Sequence, residues 1–168
     1  MKKLAVVMMS GGLDSSLAAR ILQLQGFEVI GFNVRLPFHC SVAAALRAAW
    51  DLGISLVLRE VGEDYLQVLR CPKHGYGRGA NPCIDCRAYM LRIAGSLMQE
   101  LGGMLVATGE VVGQRPMSQK RRDLGIIAHE SGLQGRLLRP LSAKHLPPTI
   151  PEQEGWVNRD QLYDFSGR

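Results

Sequence analysis

A short segment rich in glycine and serine carries the clearest chemical signal in this chain of 168 residues. It follows the apolar run at 4–9 and precedes a helical pattern that begins near Leu17. A glycine turn between a strand and a helix is typical of a phosphate cradle, because tight turns and helix N-termini both present backbone N–H groups. The residues predicted to bind phosphate there are Ser10, Gly11, Gly12, Asp14, Ser15 and Ser16.

Each residue type in this segment has its own predicted task. Gly11 and Gly12 can take positive φ, which brings backbone N–H groups close to a phosphate. The serines add hydroxyl donors, and Asp14 can hold Mg²⁺ against phosphate oxygens. The segment has neither the Lys-Ser/Thr pair of a Walker A loop nor the glycine spacing of a dinucleotide site. The plain alternative is a serine-capped helix after a glycine turn, with no ligand.

A pair of cysteines forms the second candidate for chemistry. Cys83 and Cys86 stand three residues apart at the predicted start of a helix, directly before Arg87. A helix N-terminus and a nearby cation lower the pKa of a thiol, and this spacing permits a disulfide or shared metal ligation. A structural zinc site is disfavoured, since no second C-x-x-C or paired histidine follows. A purely structural pair remains the alternative.

The elements that must position these residues alternate between strand and helix. This alternation predicts an α/β fold with a doubly wound parallel sheet of about five strands, Rossmann-like, with helices on both faces. Ligands of such sheets bind beyond the carboxyl ends of the strands. The residues expected to join the glycine segment there are Phe32, Asn33, Val34, Thr108 and Gly109.

Apolar periodicity and breakers place the elements along the chain. Strands are predicted at 4–9, 28–34, 55–60, 104–107 and 136–138, and helices at 17–24, 42–50, 64–69, 84–101 and 119–129. One domain at 1–145 accounts for them, and 146–168 is predicted as a proline-rich linker, extended at 147–151, with a short C-terminal tail.

Charge and cysteine content bound the partners and the compartment. The formal net charge is +5, which suits an anionic ligand such as ATP or RNA. The apolar stretch after the first lysines ends within six residues, so it is neither a signal peptide nor a membrane span. We therefore expect a cytoplasmic protein with no membrane partner. Its cysteines should be mostly reduced thiols: Cys40, Cys71, Cys83 and Cys86.

Basic residues cluster within 109–145. Such a cluster is a candidate nucleic-acid surface, although a solvated helix face would look the same. The candidate RNA-binding residues are Arg115, Lys120, Arg121 and Arg122.

Residues 10–16 read S-G-G-L-D-S-S, which resembles the S-G-G-x-D-S-S/T PP-loop of the ATP pyrophosphatase superfamily, the adenine nucleotide alpha hydrolase-like proteins. Within that superfamily the chain is similar to the tRNA thiouridylase, or tRNA sulfurtransferase-like, branch. The similarity lies in residues 10–16, in the C-x-x-C helix at 83–91 and in the strand at 105–109 that ends in Thr-Gly. It extends over roughly residues 3–145.

The resemblance implies ATP-dependent tRNA thiolation. AMP is attached to a uridine carbonyl oxygen, pyrophosphate leaves into residues 10–16, and a sulfur nucleophile displaces AMP. Asp14, Cys83 and Cys86 would then be the catalytic residues, ATP and Mg²⁺ the cofactors, and tRNA the substrate. A sulfur-donor protein, and a second copy or a partner subunit that supplies RNA binding, are further implied partners.

Two departures from that branch leave the mechanism open. Glu110 stands where members of the tRNA thiouridylase branch commonly have histidine after Thr-Gly. The contacts that this position makes with the nucleophile or the substrate are therefore expected to differ. The iron–sulfur thiolases have a third cysteine after this strand, whereas here the nearest substitute is Cys40. A cluster held by Cys83, Cys86 and Cys40 thus stays possible, but a persulfide mechanism is favoured. A PP-loop pyrophosphatase for a small molecule and a non-catalytic nucleotide-binding module are the alternative functions.

Overall fold

A single parallel sheet organises the protein. The computed structural model describes residues 3–37 and 42–167. Neighbouring strands pair in parallel in the order β3-β2-β1-β4-β5. The predicted doubly wound α/β fold is therefore confirmed. The strands are β1 (Leu4–Met8), β2 (Glu28–Arg35), β3 (Ser55–Glu60), β4 (Leu105–Ala107) and β5 (Leu137–Leu138).

The helices that connect the strands lie close to their predicted positions. The long helix begins at Cys83 itself, so both cysteines of the pair belong to its first turn. The helices are α1 (Leu13–Leu24), α2 (Val42–Leu52), α3 (Tyr65–Arg70), α4 (Cys83–Glu100), α5 (Arg121–Glu130) and α6 (Ile150–Gln153). Within residues 3–37 and 42–167, no helix is both long and apolar enough to cross a membrane.

The central strand β1 divides the core into two layers. Ala5 and Val7 pack in the cluster that includes Leu22 of α1, whereas Val6 packs in the cluster that includes Leu91 of α4. Successive side chains of a strand point to opposite faces, which explains why a strand buried on both faces reads as a continuous apolar run. Helices therefore cover both faces of the sheet, as predicted.

The order of the strands reverses beside β1. From β1 the chain crosses to β2 on one side, while β4 pairs with β1 on the other. Connections leave these neighbouring strands in opposite directions, which opens a crevice beyond their carboxyl ends. Residues 10–16 begin two positions after the end of β1, and Thr108 and Gly109 follow β4 directly. The topology therefore brings the glycine-rich segment at 10–16 and the Thr-Gly segment after β4 to the same edge of the sheet.

The C-terminal segment differs from the extended linker predicted at 147–151. Ile150–Gln153 is helical, and the Thr149 and Glu152 side chains form a capping box at its start. Val157 and Leu162 lie in the same core cluster as β1 and α1, so the tail packs on the domain. Proline is tolerated in a first helical turn, where its missing N–H would have no partner. The division at residue 145 itself stays a prediction.

Candidate functional site

The turn after β1 is wedged against its neighbours. Gly11 has φ +85°, and a Cβ added there would lie 2.3 Å from the carbonyl carbon of Ala44 in α2. Only glycine fits this conformation and this close approach. Gly12 has φ −82°, so the prediction that both glycines take positive φ is wrong for Gly12. One positive φ suffices to turn the chain into α1.

The serines of the turn hold it together from within. Ser15 Oγ donates to the Gly12 carbonyl at 3.0 Å, and Ser16 Oγ donates to the same carbonyl at 3.0 Å. Ser10 Oγ and Ser15 Oγ share a hydrogen bond of 3.2 Å. These bonds shape the turn while the first N–H groups of α1 lack intrahelical acceptors, as at any helix start. The segment therefore has the local form of an anion cradle.

The end of β4 presses on the same turn. A Cβ on Gly109 would lie 2.5 Å from both the Asp14 carbonyl carbon and the Ser15 nitrogen. Asp14, half-buried in the first turn of α1, accepts a hydrogen bond of 3.2 Å from Gln114 Nε2. The segment after β4 thus both supports the turn and orients the carboxylate predicted to hold Mg²⁺.

A cavity of about 330 Å³ opens at this junction. It brings together nine of the residues predicted from sequence, and those nine are Ser10, Asp14, Ser15, Phe32, Asn33, Val34, Thr108, Gly109 and Arg115. Gly11, Gly12 and Ser16 belong to the turn but do not line the cavity. Residues that the sequence did not single out for this site also line it: Met8, Met9, Leu36, Arg87, Met90, Gln114 and Gln119.

A buried carboxylate forms part of the cavity wall. Glu110 is 3% exposed, and its Oε2 accepts hydrogen bonds from Arg139 Nε at 2.9 Å and Thr108 Oγ1 at 3.0 Å. Its Oε1 lies 3.1 Å from Arg87 Nε but accepts no hydrogen bond from the described residues. Burial alone would raise the pKa of Glu110, but the two arginines outweigh it and hold the pKa below its usual value. This carboxylate is therefore ionised.

The two cysteines are free thiols in the first turn of α4, and neither lines the cavity. Cys86 Sγ shares a hydrogen bond of 3.1 Å with the Tyr65 hydroxyl of α3. Burial raises the pKa of the Cys86 thiol, so the expected lowering is wrong for this residue. Helical spacing places Cys83 on the same face as Arg87 and Met90, which do line the cavity. Cys83 is thus on the face of α4 that lines the cavity.

Metal ligation has limited support in the described residues. Within 3–37 and 42–167, no group of three His, Cys, Asp or Glu side chains is arranged to hold a metal ion. Cys40, the third candidate cluster ligand, lies outside the described residues. Asp14 would therefore need phosphate oxygens and water to complete a magnesium site, which is how Mg²⁺ is commonly bound.

The segment between α3 and α4 is tied down by a histidine that sequence analysis missed. The backbone N–H of His74 donates to Asp85 Oδ2 at 3.0 Å, and His74 Nδ1 lies 3.2 Å from Asp85 Oδ1. Lys73 Nζ pairs with Glu130 Oε1 of α5 at 2.6 Å. Asp85 stands between the two cysteines, so these contacts fix the start of α4.

The predicted RNA-binding residues do not form one group. Arg115 is exposed and lines the cavity, whereas Lys120, Arg121 and Arg122 are exposed at the start of α5. Arg121 donates to the carbonyl of His145, so part of its bonding capacity is used within the chain. Lys120 and Arg122 are the better candidates for contacts with phosphate.

Comparison with known proteins finds related sequences over most of this chain. The family model described as tRNA methyl transferase HUP domain matches residues 3–150. A protein of Caldanaerobacter subterraneus, tRNA-specific 2-thiouridylase MnmA 1, is 35% identical over 71% of this chain and 38% of its own length. The tRNA-specific 2-thiouridylase MnmA of Trichlorobacter lovleyi is 32% identical over 89% of this chain and 45% of its own. The chain thus spans less than half of either relative.

Solved structures support the fold alone. A predicted subunit of tRNA methyltransferase from Methanocaldococcus jannaschii superimposes with a TM-score of 0.57 at 20% identity, over 83% of this chain and 69% of that chain. An NMN synthetase from Francisella tularensis gives a TM-score of 0.52 at 12% identity, over 95% and 74% respectively.

Proposed function

Since this chain belongs to the tRNA methyl transferase HUP domain family, in the thiouridylase branch of the PP-loop ATP pyrophosphatases, we propose that it catalyses ATP-dependent thiolation of a tRNA uridine. One observation carries the proposal: the turn after β1 and the end of β4 meet at Gly109 and enclose one cavity. In this proposal the turn, the carboxylate of Asp14 and the aromatic side chain of Phe32 would contact the same ligand.

In the first step a uridine carbonyl oxygen attacks the α-phosphorus of ATP. A new P–O bond forms, the bond between the α- and β-phosphates breaks, and pyrophosphate leaves with the electron pair. The N–H groups at the start of α1 stabilise the charge on the leaving group. Asp14, held by Gln114, would bind Mg²⁺, which neutralises phosphate charge when it is bound.

In the second step a sulfur nucleophile displaces AMP. A cysteine persulfide attacks the activated carbon, the C–O bond breaks, and AMP leaves with the electron pair. The other cysteine then attacks the sulfur still attached to the protein, releasing sulfur to the uridine and forming a disulfide. Cys83 and Cys86 lie one turn apart on α4, close enough for that disulfide.

This cycle needs a persulfide-bearing donor protein and a dithiol reductant. The described residues supply two cysteine thiols at this point, whereas a four-iron cluster with one open iron needs three thiolate ligands. We therefore adopt the persulfide mechanism. We also propose that the reaction takes place in the cytoplasm, where tRNA resides, and that RNA binding is shared with a second copy or a partner subunit.

Product analysis with labelled ATP and total tRNA tests the adenylation. The protein should release AMP and pyrophosphate only when tRNA is present. Asp14→Asn should abolish this release, because it removes the carboxylate that holds the metal, while Asp51→Asn, at an exposed carboxylate of α2, should change nothing. Activity of Asp14→Asn within about threefold of the wild type would refute the assignment of the loop. AMP release without RNA would favour a small-molecule substrate.

The cysteines are tested by separating the two steps. Cys83→Ser and Cys86→Ser should each lose sulfur transfer yet retain adenylation, and Cys71→Ser, at an exposed thiol, should retain both. The protein purified without oxygen should be colourless. Brown protein whose visible absorption disappears in either variant would refute the persulfide mechanism in favour of the cluster. If both variants retain full sulfur transfer, Cys83 and Cys86 have a structural role and take no part in the reaction.

A further inference from the structure

Two arginines share one buried carboxylate at the cavity wall. Arg139 Nε lies 2.9 Å from Glu110 Oε2, and Arg87 Nε lies 3.1 Å from Glu110 Oε1. Arg139 also donates to the Leu124 carbonyl at 3.1 Å. Because one carboxylate neutralises one guanidinium, this cluster carries one positive charge in excess.

The excess charge lies at Arg87. The Arg139 side chain is 5% exposed and does not line the cavity, whereas the Arg87 side chain is 24% exposed and lines it. The other charged residues that line the cavity are Asp14 and Arg115, which have opposite signs. A partly buried charge without a full counter-charge favours binding of an ion of opposite sign. The cavity therefore presents a positioned cation to its ligand.

We propose that Arg87 binds the phosphate group of AMP, and that Glu110 is the residue that positions it. This inference rests on the proposed function, in which two anions leave in turn. The loop after β1 receives pyrophosphate in the first step. A second anion, AMP, leaves only when the sulfur nucleophile reaches the same carbon atom.

The place of Arg87 on α4 fits that second step. Arg87 follows Cys86 directly and lies one turn after Cys83 on the same helix face. When sulfur attacks, the C–S bond forms, the C–O bond breaks, and the electron pair leaves on an oxygen of AMP. That oxygen is bonded to the attacked carbon, so a cation near the cysteines is placed to stabilise it. A guanidinium suits this task because it binds phosphate through two parallel N–H groups.

Titration calorimetry of Arg87→Gln with AMP and with pyrophosphate, each with Mg²⁺, tests the inference directly. We expect the AMP affinity to fall by about 10- to 100-fold, as for loss of a charged hydrogen bond. Pyrophosphate affinity should stay within about threefold, since the loop binds that group. Arg87→Lys should recover part of the AMP affinity, because lysine keeps the positive charge but lacks the two parallel N–H groups of the guanidinium. Arg92→Gln, at an exposed arginine of the same helix, is the matched control.

Each other result has a definite meaning. AMP affinity of Arg87→Gln within threefold of the wild type overturns the inference and leaves the proposed function standing. An equal loss for AMP and pyrophosphate overturns it in favour of a general phosphate cradle. If Arg87→Gln leaves AMP binding unchanged but weakens tRNA binding and reduces the salt dependence of the tRNA affinity, the inference is overturned and Arg87 instead binds a phosphate of the RNA. A wild-type protein that binds neither AMP nor pyrophosphate overturns the proposed function as well.

A single-turnover experiment with tRNA provides an independent check. Arg87→Gln should release pyrophosphate at the wild-type rate but release AMP at least about tenfold more slowly. Slowing of both products by the same factor would contradict a role confined to the second step.

Discussion

Replacing Glu110 with glutamine should destabilise the protein severely. The substitution removes the counter-charge of the Arg139 guanidinium, 5% exposed, and leaves it hydrogen bonds to neutral oxygens only, such as the Leu124 carbonyl. Removing one partner of a buried ion pair costs about 3–5 kcal/mol, because the other charge stays buried without compensation. With a urea m-value of roughly 2 kcal/mol/M, the unfolding midpoint should fall by about 1.5–2.5 M.

Urea unfolding followed by circular dichroism measures this shift. The matched control is Glu60→Gln, which breaks the exposed Arg35–Glu60 pair and should cost at most about 1 kcal/mol. If Glu110→Gln does not fold at all, the double variant Glu110→Leu/Arg139→Met should restore folding, because it removes both charges of the pair. A midpoint for Glu110→Gln equal to that of Glu60→Gln would refute the assignment of a buried, ionised carboxylate.

The same carboxylate predicts how stability depends on pH. The two arginines hold the pKa of Glu110 in the folded protein below its value in the unfolded chain. Its ionised form therefore stabilises the fold fully above the unfolded pKa, about 4.3, and this contribution is lost as pH falls through the lower folded pKa. Urea midpoints measured between pH 6 and pH 3 should fall in the wild type and fall less steeply in the double variant.

Three further predictions follow from other contacts. Gly109→Ala should lower the free energy of unfolding by about 1–3 kcal/mol and weaken pyrophosphate binding, because a Cβ would clash with the backbone of the turn. Gly125→Ala, which has open space around it in α5, should instead raise the free energy of unfolding by about 0.5–1 kcal/mol in the same urea titrations. Tyr65→Phe should slow alkylation of Cys86 at pH 8, since the Tyr65 hydroxyl counteracts the burial that raises the pKa of that thiol; an unchanged rate would refute this contact. Lys120→Glu/Arg122→Glu should weaken tRNA binding and reduce its salt slope, and equal binding would return both residues to an ordinary solvated surface.

Local patterns were enough to predict the sheet and the glycine turn. The strand β1 is a continuous apolar run, and the glycines follow it directly, so strand, turn and helix could be placed without knowing any neighbour. Parallel topology then placed Thr108 and Gly109 beside the turn, because strand ends of such sheets share one edge. Eight of the nine predicted residues that line the cavity follow from these two arguments, whereas Arg115 was predicted from the cluster of basic residues.

Contacts between distant positions could not be predicted. Arg87, Glu110 and Arg139 come from α4, from the segment after β4 and from the segment after β5, and no local spacing relates them. His74 and Asp85 meet only because an irregular segment folds back on α4. The raised pKa of Cys86 depends on burial beside α3, which outweighs the helix terminus. These features depend on packing, which a single sequence does not show.

Two features of the structure had a signal in the local sequence that did not lead to a correct prediction. The sequence of Thr149 and Glu152 is a capping-box pattern, yet the prolines around it suggested an extended linker. Gly12 is free to adopt either sign of φ, so its sequence position alone could not decide the sign.

The tight seating of the turn after β1 has a consequence for how a ligand is received. With Gly11 against Ala44 and Gly109 against Asp14, the turn takes its shape from contacts within the folded chain and needs no bound ligand to form. Binding then immobilises few further torsions, so little conformational entropy is lost at that moment. The backbone of a preorganised turn should differ little between the free and the ligand-bound protein. The association rate of the ligand should then be set by diffusion and charge rather than by a slow rearrangement.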